Sequence, residues 1–92
     1  MYVILFYDIA DKTLKKQDNS RRIRKLAEKY LPRVQYSVYE GEIRASDFKI
    51  LNEGLRKECV AEHDSIVIYT FDSLRYSNRI VMGQDKNQNI FS

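Results

Sequence analysis

The sequence contains very few of the residues from which many catalytic and metal sites are built. Its 92 residues include one cysteine, Cys59, and one histidine, His63. A single cysteine excludes an intrachain disulfide, and the two residues together are too few for a zinc site or a histidine-based acid–base pair within one chain. We therefore interpret Cys59 as a packing residue of a predicted helix and His63 as part of a turn or the surface.

Other familiar signals are missing as well. The chain has three glycines and no glycine-rich phosphate loop. No apolar run is long enough to span a membrane, and the N-terminus lacks the basic region, apolar core and cleavage site of a signal peptide. These absences favour a cytoplasmic protein without a membrane partner. The length indicates one domain, residues 1–92.

The first eight residues are the segment around which the rest of the chain is organised. Residues 2–7 are β-branched, aliphatic or aromatic, which is typical of a buried strand. Because strand side chains alternate, both faces of this strand are apolar and both need a cover. Asp8 follows where the strand emerges, either as a cap of the next turn or as a functional carboxylate.

Two helices are predicted from apolar residues that recur at helical spacing. The first runs from about Ser20 to Tyr30, and Asn19 is among the residues that suit its N-cap. The second runs from about Asp47 to Cys59, with Ser46 as its N-cap.

The remaining strands are less regular. Residues 33–43 are extended, as one bent strand or as two short strands that meet near Tyr36, and Gly41 suggests a bulge or bend. Residues 65–71 form a second strand that is apolar on both faces, and residues 79–83 carry a short apolar strand before a polar tail.

This order of elements predicts an α+β, ferredoxin-like βαββαβ fold in two layers, with residues 79–92 as an extra C-terminal strand and tail. Two helices cover only one face of such a sheet, although two of its strands are apolar on both faces. We therefore expect a homodimer, in which a second copy covers the bare face.

Charge is unevenly distributed along the chain. Residues 12–33 carry nine basic and two acidic side chains, whereas the rest carries seven basic and eleven acidic ones. A basic segment of this kind attracts a polyanion such as a nucleic acid, although a solvated helix face is the simpler interpretation. It argues against a regulatory domain that binds a small metabolite. The remaining candidate metal ligands are carboxylate oxygens. Those of Asp8 and Asp11 suit hard cations such as magnesium or manganese.

Four stretches together resemble the CRISPR-associated protein two family, and the resemblance extends over nearly the whole chain. These stretches are FYDIAD at residues 6–11, RRI at 21–23, RVQYSVYEG at 33–41 and DS at 64–65. The resemblance implies a ferredoxin-like homodimer in which Asp8 and Asp8 of the partner subunit face each other across the twofold axis and hold a divalent metal, Mg²⁺ or Mn²⁺.

Family members are described as endonucleases that cut single-stranded RNA or double-stranded DNA. They also form the central dimer on which the CRISPR integrase subunits assemble during spacer acquisition. Carried over by position, Asp8 is the catalytic residue and metal ligand. Arg21 or Arg22, Arg33 and Tyr39 match basic and aromatic positions near the family's site and are predicted to bind nucleic acid. Whether a metal-dependent nuclease or a non-catalytic DNA-binding scaffold is the physiological role stays open.

Overall fold

The computed structural model describes residues 1–10, 19–73 and 78–86. Over these residues the elements are β1 (Tyr2–Asp8), α1 (Ser20–Tyr30), β2 (Arg33–Gln35), β3 (Val38–Glu42), α2 (Ala45–Glu58) and β4 (Ser65–Phe71). The strands form one antiparallel sheet in the order β2-β3-β1-β4. This is the predicted ferredoxin-like arrangement, in which β1 pairs on both sides.

The hydrophobic core lies between one face of the sheet and the two helices. Val3 and Leu5 of β1 are fully buried there, next to Tyr39 of β3. Each helix contributes an apolar stripe, and its buried members are Ile23 and Ala27 in α1 and Leu51 and Leu55 in α2. The predicted helical spacing therefore identified the faces that pack on the sheet.

The starts of the helices differ in detail from the prediction. Asn19 is the N-cap residue of α1, but its side chain makes no capping hydrogen bond and binds other elements instead. The prediction of Ser46 as N-cap of α2 was wrong, because Arg44 occupies that position. The helix begins one residue before Ser46, and Asp47 lies in its first turn, where a carboxylate interacts favourably with the helix dipole.

Residues 33–42 form two strands joined by a turn at Tyr36 and Ser37. The bulge predicted at Gly41 is not there, because the pairing irregularity lies between Arg33 and Gln35 of β2. Gly41 is required for another reason. A Cβ atom at this position would lie 2.9 Å from Cδ of Pro32, so only glycine fits beside the proline ring.

The C-terminal segment departs from the prediction of an extra strand. Residues 78–86 form no strand, and residues 87–92 lie outside the described part of the chain. The segment lies over the face of the sheet that the helices leave open, where it borders Ile4, Phe6 and Val38. Backbone groups of the inner strands are already paired with each other, so a segment lying across this face has no free edge with which to form a ladder.

The open face keeps exposed apolar side chains in spite of this segment. Phe6 is 38% exposed, Val67 44% and Tyr69 55%. Ile80 and Met82 of the C-terminal segment are 77% and 93% exposed. The predicted apolar face is therefore present in the protomer. In the described residues, no helix is long and apolar enough to cross a membrane.

Candidate nucleic-acid and metal site

Asp8 is the last residue of β1, and its side chain is exposed. Since strand side chains alternate, Asp8 lies on the open face with Ile4 and Phe6, opposite Ser65 in the register of β4. Its side chain makes no hydrogen bond or ion pair with any other residue that the structure describes. The carboxylate is therefore available to a ligand at the end of the sheet.

A second carboxylate, Asp64, fixes the chain around this strand end. Its Oδ1 accepts a hydrogen bond from the Ala10 backbone N–H at 3.0 Å. Its Oδ2 accepts one from Asn19 Nδ2 at 2.7 Å and one from the Val60 backbone N–H at 2.9 Å. Asp64 thus joins the exit of β1, the start of α1 and the turn after α2. Sequence reasoning assigned it no role, although an aspartate in a turn before a strand commonly binds backbone amides.

Arg21 and Arg22 lie in the first turn of α1, and the structure distinguishes between them. The guanidinium of Arg22 is 2.6 Å from a carboxylate oxygen of Glu58 at the end of α2. Arg21 is exposed and has no ion pair with another described residue. The first turn contains no acidic side chain. Arg21 is consequently the arginine that can bind a phosphate without first giving up a partner.

Arg33 at the start of β2 lies close to an exposed aromatic ring. Its guanidinium carbon is 5.8 Å from the ring centroid of Tyr36, whose side chain is 82% exposed. The Nη1 atom of Arg33 also lies 3.9 Å from Oε1 of Glu28. The turn that carries Tyr36 is bound to β1, because Ser37 O accepts a hydrogen bond from the Tyr7 N–H at 3.1 Å. This turn therefore lies at the same end of the sheet as Asp8. Sequence reasoning missed the exposure of Tyr36.

Tyr39 does not fit the predicted contact with nucleic acid. Its side chain is fully buried and stacks on Tyr7, with ring centroids 5.9 Å apart and an interplanar angle of 26°. Its hydroxyl donates a hydrogen bond to Glu28 at 3.4 Å. Burial, followed by the hydrogen bond with Tyr7, raises the pKa of the Tyr39 phenol above its ordinary value. The register of β3 turns Tyr39 toward the helices, so it supports the sheet from within.

A partly buried ionic cluster lies at the other end of the open face. Arg79 Nε is 2.6 Å from Glu40, and its two terminal nitrogens are 2.8 and 3.0 Å from Asp85. The hydrogen bonds with Asp85 are the largest cause that raises the pKa of Arg79. Burial, with Glu40 nearby, raises the pKa of the Tyr2 phenol. The cluster fastens the C-terminal segment over the sheet and leaves an open cleft of about 400 Å³ between them.

The described residues supply only part of a metal site. No group of three or more histidine, cysteine, aspartate or glutamate side chains in residues 1–10, 19–73 and 78–86 could hold an ion. At this end of the sheet, Asp8 offers an exposed oxygen ligand of the kind that magnesium and manganese prefer. Asp11 lies outside the described residues. The chemistry of Asp8 fits such an ion, for which this carboxylate would be one ligand of several.

Comparison with known proteins identifies the family. The profile described as "CRISPR associated protein Cas2" matches residues 1–79. A Dictyoglomus turgidum protein named CRISPR-associated endoribonuclease Cas2 is 37% identical over 91 residues, which cover 96% of this chain and 94% of that protein. A Nanoarchaeum equitans protein of the same name is 36% identical over 92 residues, with coverages of 99% and 93%.

A solved structure supports the same assignment. The crystal structure of a Cas2 protein matches with a TM-score of 0.74 at 34% identity, over 94% of this chain and 90% of that one. The family profile, the relatives and the solved structure each match most of the chain. The chain belongs to the Cas2 family of CRISPR-associated proteins.

Proposed function

We propose that this protein is a metal-dependent endonuclease that cuts phosphodiester bonds of RNA or double-stranded DNA in CRISPR spacer acquisition and antiviral defence. The observation that carries the proposal is the exposed Asp8 carboxylate, which lies at the same end of the sheet as the arginines that begin α1. The name endoribonuclease, given to the relatives, supports RNA as a substrate. We expect the protein to act in the cytoplasm.

The chemistry is the hydrolysis of a phosphodiester. A water oxygen forms a bond to phosphorus, the bond to the leaving sugar oxygen breaks, and that oxygen takes up a proton. A Mg²⁺ or Mn²⁺ ion, when bound, supplies positive charge at the phosphate and makes its water more acidic. Asp8 is the ligand that this chain contributes. Arg21 and Arg33 bind backbone phosphates, which position the substrate but carry no sequence information.

A homodimer completes this site in the proposal. The exposed apolar side chains of the open face and of residues 80–82 are the surface that a second copy would cover. Asp8 lies on the same face, so a twofold axis through it brings Asp8 of the partner subunit close to Asp8. Sedimentation equilibrium at micromolar concentration should show a dimer. A chain that ends at Asn78 should dimerise more weakly, and an equally stable truncated dimer would exclude a role for residues 80–82.

A second candidate function is that of a non-catalytic scaffold, a dimer that binds double-stranded DNA and on which the CRISPR integrase subunit assembles. The sparse set of carboxylates favours it, because Asp8 is a single exposed ligand without a cluster of metal-binding neighbours among the described residues. The basic segment of residues 12–33 serves both candidates equally.

A cleavage assay separates the two functions. Purified protein is incubated with single-stranded RNA and with duplex DNA, in magnesium or in EDTA. We expect Asp8→Asn to abolish magnesium-dependent cleavage while fold and dimer stay intact, because the amide cannot replace the charge of a metal-bound carboxylate. Asp72→Asn removes the same charge from an exposed position just after β4 and is the matched control. Undiminished cleavage by Asp8→Asn would refute the nuclease role and leave the scaffold role.

A further inference from the structure

The Asp64 carboxylate accepts hydrogen bonds from three other segments at once: the exit of β1, the start of α1 and the turn after α2. The bond to Ala10 spans 54 positions of the sequence and the bond to Asn19 spans 45. Such long-range bonds constrain how the segments lie relative to each other.

The two segments next to Asp8 and Arg21 both depend on this carboxylate. Ala10 follows Asp8 by two residues, and Ser65, the neighbour of Asp64, pairs with Asp8 in the sheet. Asn19 is the N-cap residue of α1 and precedes Arg21 by two residues. One side chain therefore holds the backbone beside the metal ligand and the backbone beside the phosphate-binding arginine.

The end of α2 reinforces the same junction. The Glu58 backbone oxygen accepts a hydrogen bond from Asn19 Nδ2 at 2.6 Å, and the Glu58 carboxylate binds Arg22. These contacts hold α1 but do not reach β1. The bond between Asp64 and Ala10 links this junction to the backbone that follows Asp8, next to the sheet pairing of Ser65 with Asp8.

We infer that Asp64 is a positioning residue, whose carboxylate sets the Asp8 carboxylate relative to the arginines at the start of α1. The inference rests on the proposed function. An asparagine at this position keeps the size of the side chain but replaces one acceptor oxygen with an N–H donor. That donor faces other donors at Asn19, Ala10 or Val60, so at least one bond is lost.

The test measures metal binding and backbone order, not cleavage. Mn²⁺ is titrated into the intact protein, and paramagnetic broadening of the Asp8 amide signal gives the midpoint. ¹⁵N relaxation gives the order parameters of Asp8 and Arg21. Asp64→Asn is compared with Asp72→Asn, which has the same charge change. Thermal melting establishes that both variants are folded at the measuring temperature.

We expect Asp64→Asn to raise the Mn²⁺ midpoint by about 10- to 100-fold, as is usual when a group that orients a metal ligand is removed. The Asp8 order parameter should fall from the rigid range near 0.85 toward the flexible range below about 0.6. Asp72→Asn should change neither. An Asp64→Asn protein with the midpoint and the order parameters of Asp72→Asn overturns the inference.

Two further outcomes are informative. If wild type shows no broadening at Asp8, the metal-dependent function fails, and the order parameters alone decide whether Asp64 positions the strand end. If Asp64→Asn does not fold, Asn19→Ala replaces it, because this variant keeps the bonds to Ala10 and Val60. Asn19→Ala should then lower the order parameter of Arg21 and leave that of Asp8 unchanged. If neither order parameter falls, the inference is overturned.

Discussion

The ionic cluster of Arg79 predicts a large loss of stability when its cation is removed. Arg79→Met keeps most of the apolar stem and deletes the guanidinium. The side chains of Arg79 and Glu40 are only 16% and 11% exposed, so the Glu40 carboxylate would stay largely buried without the compensating charge of Arg79. Breaking a buried ion pair in this way costs roughly 3–5 kcal/mol. The residual exposure admits water, and we therefore expect about 2–3 kcal/mol.

Urea denaturation at a fixed protein concentration measures the effect. With a slope of about 1.5 kcal/mol per M, the loss moves the midpoint down by roughly 1.3–2 M. Arg44→Met is the matched control, because Arg44 is 84% exposed and pairs with Asp47 at 3.2 Å on the surface. Such a surface pair contributes about 0–1 kcal/mol.

A double-mutant cycle tests the assigned cause. Glu40→Gln removes the charge that Arg79→Met leaves behind, so the double variant should be less destabilised than the sum of the two single variants. The reasoning is refuted if Arg79→Met and Arg44→Met shift the midpoint equally. It is also refuted if the two single effects add without coupling.

Three more predictions concern other parts of the molecule. Arg21→Glu should weaken nucleic-acid binding for all sequences alike and make the affinity depend less on salt. Arg22→Glu should have smaller effects on both, because Arg22 is already paired with Glu58. Filter binding over a salt series measures both, and a loss confined to one sequence would contradict the phosphate assignment. Gly41→Ala should destabilise by about 1–3 kcal/mol through overpacking, as its Cβ meets the Pro32 ring at 2.9 Å. Gly54→Ala should be nearly neutral in the same urea assay, since it gains helix propensity and meets only the mobile end of Leu26 at 3.1 Å. Because the pKa of the Tyr39 phenol is raised in the folded protein, the unfolded chain loses the phenol proton at a lower pH than the folded protein does. The free energy of unfolding should therefore fall above about pH 10, and it should fall less steeply in Tyr39→Phe.

The sequence determined the elements and their order because the signals for them are local. Continuous runs of β-branched and aromatic residues marked β1 and β4, and helical spacing placed α1 at Ser20–Tyr30, where the structure has it. Asp8 was recognisable because it ends an otherwise apolar strand. The bare apolar face was predictable because two helices cover only one face of the sheet, whereas two of its strands are apolar on both faces.

The tertiary structure decided the features that depend on contacts between distant segments. The register of β3 placed Tyr39 inside and left Tyr36 exposed, and neighbouring aromatic residues give no local signal for that choice. Arg22 and Arg21 differ only because Glu58, 36 positions from Arg22, lies beside one of them. The hydrogen bonds of Asp64 span up to 54 positions. Side-chain periodicity describes one element at a time, whereas these partners become neighbours only when the sheet and helices pack.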